Sequence, residues 1–356
     1  MSSFNGRKIS AEVYGESHAP EIGVKVSGFP ETEIDFNELR KLLNRRKPSS
    51  SVFSTKRKET DEPLFFSDDG QRISGDKLPS SWTAKILNAD VKSADYNELY
   101  GKPRPSHADY AWYLKEGALD YSGGGRFSAR LTAPLCVAGG VALQYLKKRG
   151  IKIAAFVSEA GGIYGGSYKD EDLSAEKIEQ LREGEFPSLC NKEDILSEIK
   201  SAAAESDSLG GRVDCIITGF PAGKGDNLFG GLEGKIASLI YAIPAVKGVE
   251  FGAGFDFAKM RGSEANDPLR IENGRVTLAK NDAGGINGGI SNGANIAFSV
   301  AFRPTPSIAR EQSTVDLVNN KNVRIKIKGR HDACVVPRAV PVVECVAALA
   351  VLDEIL

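Results

Sequence analysis

Residues 122–157 read "SGGGRFSARLTAPLCVAGGVALQYLKKRGIKIAAFV", and their reading decides the fold. A glycine-rich opening gives way to a helical pattern through 129–149, Gly150 stands where a carboxyl cap belongs, and the strand-like "IKIAAFV" follows directly. Helix passes into strand with no linker between them, which is the alternation of an α+β protein.

Outward from this stretch the alternation continues. Towards the amino terminus, Asp109 is placed to cap a helix over "YAWYLKEGALDY" and Asp35 to cap another over 36–46, with Glu38 in its first turn and Leu39, Leu42 and Leu43 as its apolar face. Ile9, Ala11 and Val13, then Ile22, Val24 and Val26, read as two strands joined by "GESHAPE". Residues 47–106 lack long periodic runs and are rich in Ser, Lys and Pro, so they read as either a mobile surface loop or a lid, with a mobile active-site loop expected around 47–62. Towards the carboxyl terminus, helices are expected near 171–183, 191–205 and 232–243, and a last one from about 337. Strands are expected at "RVDCIITGF", 248–252, "RVTLA", "ANIAFSVAF" and "VRIKIK". No repeat, low-complexity tract or Gly/Ser linker divides the chain, which predicts a single α+β domain over 1–356.

Composition narrows the classes of function. With 41 % hydrophobic and 26 % charged residues the balance is that of a soluble globular protein, and 46 basic against 47 acidic side chains leave no global field to draw nucleic acid or an anionic membrane. The opening "MSSFNGRKIS" has no apolar core of a secretion signal, and the apolar "VVPRAVPVVECVAALAVLDEIL" carries Arg338 and Glu344, so it reads as a buried helix rather than a membrane span. Five cysteines form no CxxC pair and, Cys190 and Cys334 apart, lie in apolar runs; this favours a reducing cytoplasm over a disulfide or zinc scaffold. Dinucleotide (GxGxxG) and P-loop (GxxxxGK[ST]) fingerprints are absent.

Three features carry chemistry. The pieces "SGGGRFSAR" (122–130) and "DAGGINGGISNGAN" (282–295) either make tight turns and bulges or bring backbone N–H groups close to an anion or a flavin ring. Arginines recur beside such elements (Arg45, Arg46, Arg104, Arg126, Arg130, Arg303, Arg330 and Arg338 among them), and a multiply anionic ligand would use several, because a guanidinium grips phosphate or carboxylate through two parallel hydrogen bonds. The three histidines, His18, His107 and His331, each lie in a short polar turn and are suited to moving protons near neutral pH. None has zinc-ligand spacing, so no metal is expected, and neither Ser17 nor Ser128 stands in a GxSxG elbow. The residues alone therefore give a site for a phosphorylated or multiply anionic small molecule, assembled from loops far apart in sequence, and leave the reaction unnamed.

Taken together and in order, "GESHAPEIGVKVSGFP" (15–30), "RPSHADY" (104–110), "GGGRFSAR" (123–130), "KGVEFGAGF" (247–255), "GGINGGISNG" (284–293), "RPTPSI" (303–308) and "GRHDACVVPRAVPVVE" (329–344) resemble the chorismate synthase family over nearly the whole chain. The resemblance implies a β-α-β sandwich of helices packed with antiparallel sheets. It implies a lyase that converts 5-enolpyruvylshikimate 3-phosphate to chorismate and phosphate by 1,4-anti elimination, the last step of the shikimate pathway. Reduced FMN is the implied cofactor, NADPH an indirect reductant, and a homotetramer with its site near a subunit contact the implied assembly. The rival reading is a protein of the same fold that binds flavin or a phosphorylated ligand without turnover.

Residue by residue, the resemblance gives His18 as proton donor to the departing phosphate, His107 beside the flavin N1 and C2 carbonyl, and Asp332 near flavin N5 for removal of the substrate proton. It places FMN contacts at Arg126, Phe127 and Ser128, at Pro244 and Ala245, at Gly288, along Arg303, Pro304, Thr305, Pro306 and Ser307, and at Arg330. Ser17, Arg46 and Arg130 would line the substrate pocket, Arg46 being tied in the family to substrate or reduced nicotinamide. His331 is read as shaping the turn that presents Arg330 and Asp332. The chain departs from the family pattern at Ala19, at Ser106 in place of Gly, at Phe127 in place of Ser, and at Lys47, which cannot grip an anion in the bidentate manner of Arg.

Overall fold

Alternation of apolar and polar residues builds the amino-terminal sheet in the computed structural model, which describes residues 2–47, 60–88, 99–119, 124–170, 173, 177, 180–181, 186–327 and 331–356. Strands β1 (Ser2–Asn5), β2 (Ser10–Gly15), β3 (Glu21–Ser27), β4 (Leu64–Phe66) and β5 (Trp82–Leu87) form it in the order β1-β2-β3-β5-β4, every pair antiparallel. Register aligns Ala11 with Val26 and Val13 with Val24 across β2 and β3, and Val26 with Trp82 and Val24 with Ala84 across β3 and β5, so the buried residues share one face. The reading of 47–106 as surface loop or lid is corrected here: Trp82, Ala84 and Ile86 are buried and β5 is flanked by strands on both sides. Its period-2 pattern is short and set among polar residues, which hid it. Of the loop expected around 47–62, residues 48–59 lie outside the described residues.

Helix α1 (Phe36–Arg46) begins where expected, because the Asp35 carboxylate accepts the N–H groups of Asn37 at 2.7 Å and Glu38 at 3.2 Å. Helix α2 (Asp109–Glu116) starts with Asp109 inside its first turn and Ala108 as its cap; the Asp109 carboxylate goes to Arg104 instead, so its expected capping role is corrected. The helix expected over 129–149 divides into a 3-10 turn at Ala129–Leu131 and α3 (Thr132–Lys147). From Thr132 to Leu146 all of α3 except Leu135 is buried, as a helix covered on several sides must be. Helix α4 (Lys192–Ala204) follows expectation, whereas the helix expected near 171–183 falls mostly outside the described residues.

The second sheet is made of β6 (Lys152–Ala160), β7 (Ile163–Tyr164), β8 (Gly211–Thr218), β9 (Val246–Phe251) and β10 (Ile296–Phe302), in the order β9-β10-β8-β6-β7 and antiparallel throughout. Helix α5 (Leu232–Ile240) stops earlier than expected, at a turn leading into Pro244 and Ala245. The last helix, α6 (Val336–Ile355), is buried along most of its length.

Helix α3 packs on β3 and β5, α6 packs on β6 and β8, and the two helices pack on each other, so a helical layer stands between two antiparallel sheets. One continuous apolar core runs through all three layers, from Ile9 to Leu352. Two buried carboxylates fasten the layers. Glu344 on α6 accepts both terminal nitrogens of Arg45 on α1, at 2.7 and 3.1 Å, and the Ala155 N–H of β6 at 3.0 Å. Asp353 accepts the N–H groups of Arg7, Lys8 and Ile9 at 2.9, 2.7 and 3.0 Å, tying the β1–β2 turn to the carboxyl end of the chain. No helix among the described residues is long and apolar enough to cross a membrane.

Candidate active site

The turn between β2 and β3 carries Ser17 and His18. It closes on itself through the Ala19 N–H to the Glu16 carbonyl at 3.1 Å and is anchored by the Ser17 N–H to the Gly125 carbonyl at 3.2 Å. The Ser17 hydroxyl, which is buried, lies 3.0 Å from His18 Nδ1 and so orients the imidazole. Asn88, just past β5, donates to the Ala19 carbonyl at 2.7 Å, and its own amide oxygen accepts Arg130 Nε at 3.0 Å. Expected substrate residues Ser17 and Arg130 thus belong to one hydrogen-bonded corner.

Behind that corner lies a buried charge cluster. Each oxygen of Asp61 takes one guanidinium, Oδ1 that of Arg130 and Oδ2 that of Arg46, and all three residues are almost fully buried. Arg46 also reaches Thr132 Oγ1 at 3.4 Å. Burial alone would raise the Asp61 carboxyl; the two guanidiniums outweigh it and hold the group below the usual carboxylate range. Lys47, beside them, is pushed below the ordinary lysine range by burial and by the Arg46 charge, against the pull of Asp61. Arg338 of α6 joins the cluster to Asp332: its Nε donates to the Arg46 carbonyl at 3.0 Å and its Nη1 to Asp332 Oδ2 at 2.5 Å. A polar chain therefore runs from the His18 turn through Asn88, Arg130, Asp61, Arg46 and Arg338 to Asp332.

His107 occupies a second corner. The preceding Ser106 has φ of +58°, the left-handed region that an L side chain seldom adopts, and the turn is held by the His107 N–H to the Arg104 carbonyl at 3.2 Å. Arg104 and Asp109 form a buried bidentate pair at 2.7 and 2.8 Å. His107 Nε2 lies 2.6 Å from the hydroxyl of Ser307, and the Arg303 guanidinium donates to the Ser106 carbonyl, so the 303–307 segment closes over this turn. The Arg303 N–H bonds the carbonyl of Ala245 at 3.0 Å, which brings Pro244 and Ala245 alongside; Ala245 itself has φ of +75°. Within the same segment the Thr305 carbonyl accepts the Ser208 hydroxyl at 2.7 Å and the Pro306 carbonyl accepts Gln312 Nε2 at 3.5 Å, while Pro304 stays exposed. Burial, then the positive charge of Arg104, outweighs Asp109 and, with Arg303 and His331 adding to it, pushes the His107 imidazole down to about 3. It is neutral at physiological pH.

Between the corners runs the turn 124–130. Ser128 Oγ accepts the Arg130 N–H at 3.2 Å and caps the following 3-10 turn. Arg126 pairs with Glu16 at 3.3 Å and stacks 4.5 Å above the Trp112 ring of α2, and Phe127, half exposed, meets the same ring edge-on with centroids 5.4 Å apart. Next to Gly288, Gly289 accepts the Leu232 N–H at 3.0 Å at the amino end of α5. Arg330 lies outside the described residues.

Most of the predicted residues therefore fall into two corners joined by the 124–130 turn, while Gly288 lies beside the amino end of α5. Sequence reasoning missed Asp61, Asn88 and Thr132 as members of the site, and listed Arg338 without a role. Asp61 sits in "KRKETDE", a run that reads as solvated charge and carries no mark of pairing.

Two features fit a flat, phosphate-bearing cofactor. Arg303 Nε is buried without a hydrogen-bond partner, a donor left for a ligand. At Gly288, φ is +61° and the space a Cβ would occupy is open, so backbone is exposed to close approach. Among the described residues no group of three His, Cys, Asp or Glu side chains could hold a metal ion.

Comparison with known proteins adds the chemistry. A family model described as chorismate synthase matches residues 9–356. The chorismate synthase of Korarchaeum cryptofilum is 42 % identical over 356 residues, covering 99 % of this chain and 96 % of its own. Those of Methanosarcina acetivorans (40 % identical, covering 99 % of this chain and 95 % of its own) and Parabacteroides distasonis (41 %, covering 96 % and 94 %) are similar to a like degree. A crystal structure of a chorismate synthase aligns with a TM-score of 0.73 at 24 % identity, over 98 % of this chain and 92 % of that one, a likeness of fold.

Proposed function

The chain belongs to the chorismate synthase family, and from that premise we propose that its two corners, with reduced FMN between them, convert 5-enolpyruvylshikimate 3-phosphate to chorismate and phosphate by 1,4-anti elimination. The observation that carries this reading is the polar chain that links the His18 turn to Asp332 through three arginines. An elimination of this kind needs a proton delivered to departing phosphate, a proton removed from carbon, and positive charge to hold the anions between them.

His18 supplies the first. With Nδ1 held 3.0 Å from the Ser17 hydroxyl, the imidazole is oriented to give a proton to phosphate oxygen as the C–O bond breaks. Asp332 assists the second, the removal of the proton from carbon, with its Oδ2 held by Arg338 Nη1 at 2.5 Å. Arg130 and Arg46 attract the phosphate and carboxylates of the substrate, both held by Asp61.

Arg303, Ser307, Pro244, Ala245, Arg126, Phe127 and Ser128 would hold the flavin, with Pro304, Thr305 and Pro306 as backbone lining. When bound, reduced flavin supplies electron density that eases phosphate departure, with no net oxidation of substrate. His107 is kept neutral by burial and by Arg104 and Arg303, and the same charges favour an anion at its face, which would in turn raise its proton affinity. Leu228, Phe229, Phe255, Leu269 and Ile271 are large apolar side chains left exposed, the first two near Gly289, and they support a site near a subunit contact; we assign them to a homotetramer contact. Free thiols at all five cysteines support a reducing, cytoplasmic setting. Cys334, read in the sequence as outside an apolar run, is fully buried and its thiol is raised to about 12 by burial.

The residue roles are tested by kcat of His18→Ala, His107→Ala and Asp332→Ala under anaerobic conditions with reduced FMN. Each should fall by about 10²- to 10⁴-fold with the fold intact. Wild-type rates in all three would refute the assignment.

A further inference from the structure

We propose that Asp61 is a positioning residue for the substrate: its carboxylate sets the guanidiniums of Arg46 and Arg130 in the orientation that receives the substrate's anionic groups, an inference that rests on the chorismate synthase reading above.

The arrangement is specific. Asp61 has no exposed side-chain surface, and its two oxygens are divided between the two arginines rather than chelated by one. Arg130 is fixed at a second point by Asn88 and Arg46 by Thr132, so neither guanidinium is free to turn. Arg46 Nε is nevertheless buried without a hydrogen-bond partner, so this guanidinium keeps a donor that Asp61 does not satisfy. Arg46, Lys47, Arg130 and Arg338 crowd the same place, and like charges out of water repel strongly unless a carboxylate lies between them. Asp61 holds φ of +49°, an uncommon conformation for a residue other than glycine.

A buried ion pair is poor evidence for a stabilising role, since its desolvation offsets much of the attraction. Its cost is understandable where it fixes two groups that must meet an anion. Asp61 touches neither reacting carbon nor cofactor in this account; it acts through the arginines, and its removal should be felt in substrate affinity more than in the chemical step or in flavin binding.

The test uses the full chain with Asp61→Asn, which keeps the shape and removes the charge, and Asp61→Glu, which keeps the charge and displaces the guanidiniums by one methylene. KM and kcat for 5-enolpyruvylshikimate 3-phosphate are measured at saturating reduced FMN, FMN affinity by flavin fluorescence, and folding by thermal melting. Loss of charged hydrogen bonds predicts a KM raised about tenfold to a hundredfold in Asp61→Asn, a smaller loss in kcat, and FMN affinity within about twofold of wild type. Asp61→Glu should restore the melting temperature while KM stays raised. Unchanged KM in either folded variant, or KM and FMN affinity weakening together in step with melting temperature, would overturn the inference. Should Asp61→Asn not fold, the KM of Asp61→Glu decides. A wild type without turnover would mark failure of the functional reading instead.

Discussion

His107 shows how one residue's surroundings fix its state. In the unfolded chain its imidazole titrates near 6.5, and in the fold burial and the neighbouring cations lower this to about 3, so between those values the unfolded chain binds a proton that the folded protein refuses. Stability contributed by the neutral form is complete above about pH 6.5 and is lost as pH falls towards 3. At pH 5 the loss reaches about 2 kcal/mol. Denaturant unfolding at pH 7 and pH 5 should therefore show wild type losing more stability than His107→Gln by roughly that amount; equal losses would mean that the ring is already solvated or charged. The sequence made His107, His18 and Asp332 visible through motifs, and it made Ser106 visible as a departure from glycine. The left-handed φ at Ser106 gives the physical reason glycine suits that position. Asp61 was not visible, because nothing in a charged run tells which carboxylate will be drawn inside by two distant arginines.

Among the elements, α3 and α6 decide how the layers meet. An ideal Cβ at Gly139 of α3 would come within 2.4 Å of the Cys345 carbonyl and Cβ on α6, too close for any side-chain adjustment to relieve. Gly139→Ala gains about 1 kcal/mol of helix propensity, yet forcing two buried helices apart costs about 1–3 kcal/mol or more. The overpacking should win, giving a lower melting temperature by calorimetry; a higher one would show that propensity governs this helix. Long elements were legible in the sequence: α1 with its Asp35 cap, the Gly150 stop after α3, and α6 all stand close to expectation. Short β5 was not, since three alternating apolar residues among polar ones give too weak a signal. The Asp109 cap failed for another reason, because Arg104 offers its carboxylate a stronger, charged partner than a backbone N–H.

At the scale of the whole molecule, two antiparallel sheets and the helices between them form a rigid frame, and the site is made by the loops that leave it. Alternating helix and strand patterns pointed to the α+β class, and the glycine-rich pieces with their arginines to an anionic ligand, but loops that converge from residues 17, 61, 107, 130, 303 and 332 have no periodicity that could announce their meeting. The ordered motifs supplied what periodicity could not. On the proposed function this frame catalyses phosphate elimination rather than merely binding flavin. Its most direct test is a quantitative anaerobic incubation of the purified full chain with reduced FMN and 5-enolpyruvylshikimate 3-phosphate, following chorismate and phosphate together. Equal amounts of the two products, with the flavin still reduced at the end, are predicted; bound flavin with no phosphate released, or phosphate released without chorismate, would contradict it.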